Sequence, residues 1–333
     1  MKKEIKQSDN INDVIKELNK KYGIGTIIQS NNIPSDIEVI STGSFAIDRL
    51  LSCHGLPKGR LIEVYGQESS GKSTLCLFLT SQIQKQGGKV VYIDAENAYD
   101  AVYASGIGVQ TEKLIVSQPS TLEETMDTIR AFVETNSIDM IVVDSVAALV
   151  PKSELEGEDM LKDTMATQAR LMGKALRILT GPISRSKTIV IFINQLRDKI
   201  GVFYGQKETT PGGKALKFFS SVRLSVTRGE KLLNSKDEQI GNVMNITAVK
   251  NKVGFPWRKG SIDLYYGSGI DLISDTLDTA EELNVIKKEG NTYTYGETKL
   301  GVGREKAIEL LKNDKDIYEK IRKETEEAVK NEK

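Results

Sequence analysis

The chain has 333 residues, 39% of them hydrophobic and 28% charged, with 46 basic and 46 acidic side chains balancing to zero. That length can bury a large core as one main domain with a smaller companion, and neutrality excludes a protein coated in positive charge, though not a local basic groove. No apolar run reaches the roughly 18 residues of a membrane helix, and the opening MKKEIKQSDN lacks the apolar centre of a signal peptide.

A first helix is expected over Ile11–Tyr22, where Ile11, Val14, Ile15 and Leu18 follow helical spacing, Asn10 can cap the start and Gly23 can end it. On residues alone its apolar stripe serves either its own core or a partner subunit. A polar, Pro-containing stretch from Gln29 to Asp36 reads as a linker, giving residues 1–33 as an N-terminal segment. Cys53 and Cys76 are the only cysteines and sit in no metal or redox spacing, so the chain reads as cytoplasmic and reduced, and His54 beside Cys53 as structural.

From about residue 60 to 270 apolar strands alternate with helices. The strands are expected at Leu61–Tyr65, Lys89–Asp94, Leu114–Ser117, Met140–Asp144, Thr188–Asn194, Val222–Thr227, Val243–Lys250 and Ile262–Tyr266. Such alternation implies βαβ units and an α/β fold with a mostly parallel, doubly covered sheet. The last three strands follow in quick succession, which suggests an antiparallel extension at one edge. Residues 34–270 therefore read as the core and residues 271–333 as a small α+β domain, with a hairpin-like piece at Asn291–Leu300.

Gly66-Gln67-Glu68-Ser69-Ser70-Gly71-Lys72-Ser73 fits G-x-x-x-x-G-K-[ST], after a strand and before an apolar helix beginning near Thr74. In such a turn backbone N–H groups cradle phosphates, Lys72 neutralises them, and the Ser73 hydroxyl suits Mg²⁺. Asp144, ending the apolar strand Met140–Val143, supplies a second acid for the metal shell. Hydrolysis of ATP also needs a carboxylate to orient water, and "VVYIDAE" offers both Asp94 and Glu96. Glu96 is the candidate; Asp94 competes.

Several stretches in order, "STGSFAIDRLL", "GLPKGRLIEVYGQESSGKSTL", "VYIDAENAYD", "IVVDSVAALVPKSELEGE", "FINQLRDKIGV", "ETTPGGKALKFF" and "VKNKVGFP", resemble the bacterial RecA family of DNA strand-exchange recombinases. The resemblance implies a P-loop ATPase core whose cofactors are ATP and Mg²⁺. It gives Lys72 and Ser73 to phosphate and metal, Glu96 to water activation, and Asp144 to the metal. Asp100 and Tyr103 are implied on one side of the adenine, Tyr266 and Gly267 on the other. Lys250 and Lys252 are implied to reach ATP on an adjacent subunit, so that nucleotide sits between protomers of a helical filament. The same resemblance gives the N-terminal helix to a neighbour and makes Phe218 an interface residue, against the alternative of a core aromatic.

The stretch from Gln195 to Lys217 matches the family's second DNA loop. It carries Arg197, Lys199, Lys207, Lys214 and Lys217 against Asp198 and Glu208, net +3 in a neutral chain. Gly212 and Gly213 permit close approach of backbone N–H groups to phosphate, and Thr209 lies between them and the basic half. Ile200, Val202 and Phe203 are apolar yet sit in a loop, where such side chains can wedge against bases. Gln195 at its root is implied to sense the γ-phosphate. The first DNA loop is expected around Glu156–Met165, followed by Arg170 and Arg177 on a helix. Here Asp159–Asp163 reads one residue longer than the family pattern and lacks a Gly. Gln67 stands for a usual Pro, and Asn97 for a usual His. The tail after Gly301 carries nine basic and nine acidic residues, not an acidic block.

The expected activity is DNA-dependent ATP hydrolysis coupled to strand exchange in recombinational repair. Single-stranded DNA, homologous duplex DNA, further copies of the chain and a self-cleaving repressor of the damage response are the implied partners.

Overall fold

A computed structural model describes residues 11–22, 27, 37–156, 165–198 and 208–332. The chain divides into two compact units, Met1–Glu38 and Val39–Lys333. In the first, helix α1 spans Ile11–Tyr22, the bounds expected from its apolar spacing. The Asn19 side chain then holds the returning chain, donating to the Ile27 carbonyl at 2.9 Å and accepting from its N–H at 2.8 Å.

The second unit is organised by nine strands: β1 (Leu61–Gly66), β2 (Val90–Asp94), β3 (Ile115–Ser117), β4 (Met140–Asp144), β5 (Ile189–Gln195), β6 (Val222–Leu233), β7 (Gln239–Asn251), β8 (Lys259–Tyr265) and β9 (Gly269–Ile270). They form one sheet in the order β9-β8-β7-β6-β1-β5-β4-β2-β3. Pairing is parallel from β6 across to β3 and antiparallel from β6 out to β9. The expected parallel sheet with an antiparallel edge is therefore the observed one.

Both faces are covered, and the period-2 alternation of strand side chains shows where each face goes. Ile62, Val64, Val90, Tyr92, Met140, Val142 and Ile191 join one apolar cluster with helix α2 (Lys72–Lys85). Leu61, Val91, Ile93, Ile141, Val143 and Phe192 join the other, with helices α3 (Leu122–Glu134) and α4 (Met165–Ser186). α3 starts where it does because the Thr121 hydroxyl accepts from Glu124 N–H, while the Glu124 carboxylate accepts from Ser120 N–H at 2.8 Å.

After β9 come α5 (Leu272–Glu282), a three-stranded antiparallel sheet (Lys287–Glu289, Thr292–Tyr295, Thr298–Val302), α6 (Arg304–Asn313) and α7 (Lys315–Asn331). The hairpin expected at Asn291–Leu300 is thus two of three strands. Leu277, Ile286, Tyr293, Leu300, Leu311 and Ile321 give this part its own apolar cluster. Asp275 of α5 ties it to the core, accepting from Phe45 N–H at 2.7 Å, Ala46 N–H at 3.0 Å and Ser44 Oγ at 3.0 Å.

Several strands outrun their expected bounds. β6 continues past Thr227 to Leu233 and β7 begins at Gln239, so the two project as a long hairpin with register shifts near Arg228 and Lys231. Among the described residues no helix is long and apolar enough to cross a membrane.

Candidate active site

Parallel strands bring their C-terminal ends to one edge, the usual place for ligands in such sheets. Gly66 of β1 is level with Gln195 of β5, and Asp94 of β2 with Asp144 of β4. Gly66 has to be glycine: a Cβ there would lie 2.1 Å from the Val226 carbonyl oxygen of β6. The turn passes through left-handed backbone at Ser69 and Gly71, then opens into α2 with no side-chain cap at Gly71. The helix therefore offers free N–H groups and its positive end to an anion.

Lys72 enters this turn from the helix. Its ammonium donates to the Gln67 carbonyl at 2.7 Å. Burial pushes its pKa down, while Asp144, Glu96 and Glu68 pull it back up. Glu68, Ser69, Gly71, Lys72, Ser73, Thr74, Glu96, Asp144, Ser145 and Gln195 line one cleft of about 250 Å³. Ser73 hydrogen-bonds Asp144, whose own pKa is raised by burial and held back by hydrogen bonds from Tyr92 and Ser73. A hydroxyl beside a carboxylate is the hard-oxygen donor pair that suits Mg²⁺ next to phosphates.

The two competing carboxylates separate cleanly. Asp94 is buried and fully used: it accepts from Ala98 N–H at 3.1 Å, Tyr99 N–H at 3.0 Å and Gln118 Nε2 at 2.9 Å. Glu96 is exposed into the cleft, where Ser145 Oγ donates to its Oε1 and Gln195 Nε2 stands 3.4 Å from the same oxygen. Glu96 can take a proton from water in the cleft; Asp94 is a structural cap.

On the flank, Asp100 caps the helix Ala101–Gly106, its Oδ1 accepting from Val102 and Tyr103 N–H. The Tyr103 hydroxyl shares a 2.7 Å hydrogen bond with Thr74 Oγ1, joining this helix to α2. Gly106 packs on the Gly267 turn so tightly that a Cβ on it would meet the Gly267 carbonyl oxygen at 2.6 Å. Tyr266 is 54% exposed, with its hydroxyl accepting from Gln239 Nε2 at 2.7 Å. The structure thus joins the Tyr103 helix to the 266–267 turn. Lys250 and Lys252 do not line this cleft: Lys250 Nζ donates to the Lys217 and Phe218 carbonyls at 2.6 and 3.0 Å, and Lys252 is exposed.

Residues 199–207, with Lys199, Ile200 and Phe203, lie outside the described residues, as do 157–164 and the side chains of Met165 and Thr209. The root of the second loop is a short antiparallel pair, Arg197–Asp198 with Glu208–Thr209, where no strand was expected. Gly212 and Gly213 both adopt left-handed backbone, and a Cβ on Gly213 would come 2.7 Å from Ala169 Cβ. Their small size lets the loop end seat on α4. Arg197 and Lys214 are exposed, and Arg170 and Arg177 lie on the exposed side of α4. Phe218 is 76% exposed, which removes the core-aromatic reading.

A family model, the RecA N-terminal domain, matches residues 9–271, and another, the RecA C-terminal domain, matches residues 274–330. The chain belongs to the RecA family. It is 48% identical to the Protein RecA of Bacillus subtilis over 94% of this chain and 90% of that one, and 45% identical to the Protein RecA of Lactobacillus johnsonii over 94% and 87%. The crystal structure of the RadB recombinase superposes with a TM-score of 0.50 at 22% identity, covering 69% of this chain and 97% of that one, a likeness of fold.

Within this RecA-family site three residues were missed by sequence reasoning. Ser145 follows Asp144 directly, and its hydroxyl type beside an acid was the available signal. Arg228 donates from Nη2 to the Ser69 carbonyl at 2.7 Å, reaching the phosphate turn from β6. Only the pairing of β6 with β1 brings it there, and no local pattern marks it. Lys174 stands between Arg170 and Arg177 at helical spacing and is exposed with them, a periodicity legible in hindsight.

Proposed function

We infer that this chain is an ATP-dependent DNA recombinase, a P-loop ATPase acting in recombination and repair. Membership of the RecA family over nearly the whole chain supports that activity, nucleotide and DNA binding, and assembly into filaments. The carrying observation is the convergence of Lys72, Ser73, Asp144, Glu96 and Gln195 on one cleft, with Gln195 ending the strand that leads into the second loop.

The nucleotide is ATP, with its phosphates in the turn Gly66–Ser73 and on the N-terminus of α2, against Thr74. Lys72 neutralises phosphate charge. Ser73 and Asp144 are the residues that hold Mg²⁺, which when bound neutralises charge developing on the phosphates. Glu96 orients and deprotonates the attacking water, and the Ser145 hydroxyl fixes the carboxylate for that task. The Gln195 amide competes for phosphate oxygen and for Glu96. Loss of the terminal phosphate therefore changes the root of the loop. Asp100, Tyr103, Tyr266 and Gly267 frame the adenine, and Lys250 and Lys252 act on ATP of an adjacent protomer.

DNA is held through its backbone and shape by Arg170, Arg177, Arg197, Lys199, Lys214, Gly212 and Gly213, with Met165, Thr209, Ile200 and Phe203 against bases. Sequence is read by base pairing between single-stranded DNA and a homologous duplex. Residues 1–33 join neighbouring protomers, 34–270 form the ATPase core and 271–333 a small accessory domain. The protein works in the cytoplasm, and its filament also promotes self-cleavage of a repressor.

The test is strand exchange between single-stranded DNA and a homologous or heterologous duplex, with and without ATP. Exchange is expected only with homology and nucleotide. Product formed equally from heterologous DNA, or without ATP, would sink the reading.

A further inference from the structure

Tyr92 sits in the middle of β2, 3% exposed, on the sheet face covered by α2. The surrounding strand residues are aliphatic, and a phenol in such a place carries a desolvation cost unless its hydroxyl finds a partner. It does: Tyr92 Oη donates to Asp144 Oδ2 at 2.7 Å. The two lie on neighbouring parallel strands, with Tyr92 level with Val142, so Asp144 projects on the same face two residues further along. The Tyr92 ring is braced by Tyr99, 5.7 Å away and tilted by 49°.

Tyr92 does not line the cleft, so it cannot touch a nucleotide. Its bond reaches Asp144 from the buried cluster between the sheet and α2. Ser73 hydrogen-bonds the same carboxylate from α2. Asp144 is therefore held between a donor in the cleft and a donor in the core. Only the cleft donor, Ser73, has to serve a metal as well; among the described residues Asp144 is the one hydrogen-bond partner of the core donor.

We propose that Tyr92 is a positioning residue for the metal site: its hydroxyl bond fixes the plane of the Asp144 carboxylate toward the Mg²⁺ that accompanies ATP. The proposal rests on the Mg²⁺-nucleotide reading of the cleft. Partners of this kind, one bond removed from the metal shell, carry 10- to 100-fold of metal affinity.

The experiment is equilibrium binding of a fluorescent ATP analogue, titrated with Mg²⁺ and repeated in EDTA, for wild type, Tyr92→Phe and Tyr99→Phe. Phenylalanine keeps the ring and removes only the hydroxyl. Tyr99→Phe is the matched control, because the Tyr99 hydroxyl is buried nearby with no hydrogen-bond partner among the described residues. Tyr92→Phe is expected to raise the Mg²⁺ concentration for half-maximal binding about 10-fold. Binding in EDTA stays unchanged, and Tyr99→Phe shifts neither. In an Asp144→Ala background, which removes the acceptor, the Tyr92→Phe shift should vanish, which a general packing defect would not produce. A Mg²⁺ midpoint for Tyr92→Phe equal to wild type, or a shift that persists in Asp144→Ala, overturns the role of Tyr92. A wild-type chain whose nucleotide affinity ignores Mg²⁺ would instead overturn the cleft reading itself.

Discussion

Arg223 of β6 meets Glu63 of β1 at 2.5 Å, with the Glu63 side chain fully buried between strands. The other Glu63 oxygen accepts from Asn194 Nδ2 at 3.1 Å, and the same amide reaches the Pro211 carbonyl at 3.1 Å. Arg223 also lies 4.5 Å over the Tyr65 ring. This carboxylate thus joins β1, β5 and β6, and Asn194 carries the link on to Pro211 at the C-terminal end of the second loop. Removing one partner of a buried pair leaves an uncompensated charge, so Arg223→Met should cost about 3 kcal/mol. Glu63→Gln with Arg223→Met should cost less than Arg223→Met alone. Denaturant unfolding of the single and double variants beside wild type checks this, and equal losses for the two would speak against a coupled pair.

Glu96 and Asp94 stand two residues apart in opposite settings, one exposed in the cleft and one buried under three donors. Glu96→Gln should lower turnover at least 100-fold, the usual contribution of a positioned base, with nucleotide affinity kept. Asp94→Asn should leave the water-activating group in place and lose stability, because three donors converge on a carboxylate that an amide matches only in part. Steady-state hydrolysis and thermal melting together separate the two. A Glu96→Gln chain that still hydrolyses ATP at near the wild-type rate would move the base elsewhere.

Asp275 gives the fold a pH dependence. Burial raises its pKa from 3.8 to about 6, against hydrogen bonds from Ala46, Phe45 and Ser44 that hold it down. An unfolded chain releases this proton near 3.8, whereas the folded chain keeps it until about 6. Between those values the folded state binds more protons, so this group's stabilising share is complete below the window and is lost as pH rises through it. Asp48, raised to about 6 by burial, adds a contribution of the same sign. Each is worth on the order of 3 kcal/mol across the window. Asp275→Asn should flatten the dependence measured by denaturant unfolding at pH 4 and pH 7; an unchanged slope would assign it to other groups.

Much of this was legible in the chain itself, for reasons that differ by element. α1 is legible to its observed bounds because four apolar residues at helical spacing stand between a cap and a glycine. The phosphate turn was read because its residue types are each demanded by close backbone approach or charge. The residues alone favour Glu96 over Asp94 without excluding Asp94, since the answer depends on Ala98, Tyr99 and Gln118 folding back onto one of them. The β6–β7 hairpin was read too short because Thr227-Arg228-Gly229-Glu230-Lys231 breaks apolar alternation while the backbone pairing goes on. Gly212 and Gly213 stand out in the sequence, but the closeness of Gly213 to Ala169 of α4 and of Gly212 to Val146 is a tertiary fact. Tyr92 hid in an apolar run where nothing distinguishes a useful hydroxyl from a packed ring.

Lys250 and Lys252 are two residues apart, and their surroundings predict different losses. Lys250 donates to two carbonyls of the segment before β6, and burial together with Lys252 and Arg223 lowers its pKa. Lys250→Ala should therefore lose about 1–2 kcal/mol of stability along with any function at a neighbour's nucleotide, because two carbonyls lose their donor. Lys252 is exposed, and Lys252→Ala should melt as wild type does. If both lysines act across protomers, both variants should lose ATP-dependent filaments in electron micrographs while isolated protomers still bind nucleotide. Filaments of normal length from Lys252→Ala would confine the pair to a structural role, with Lys250 as a strut for the Lys217–Phe218 carbonyls.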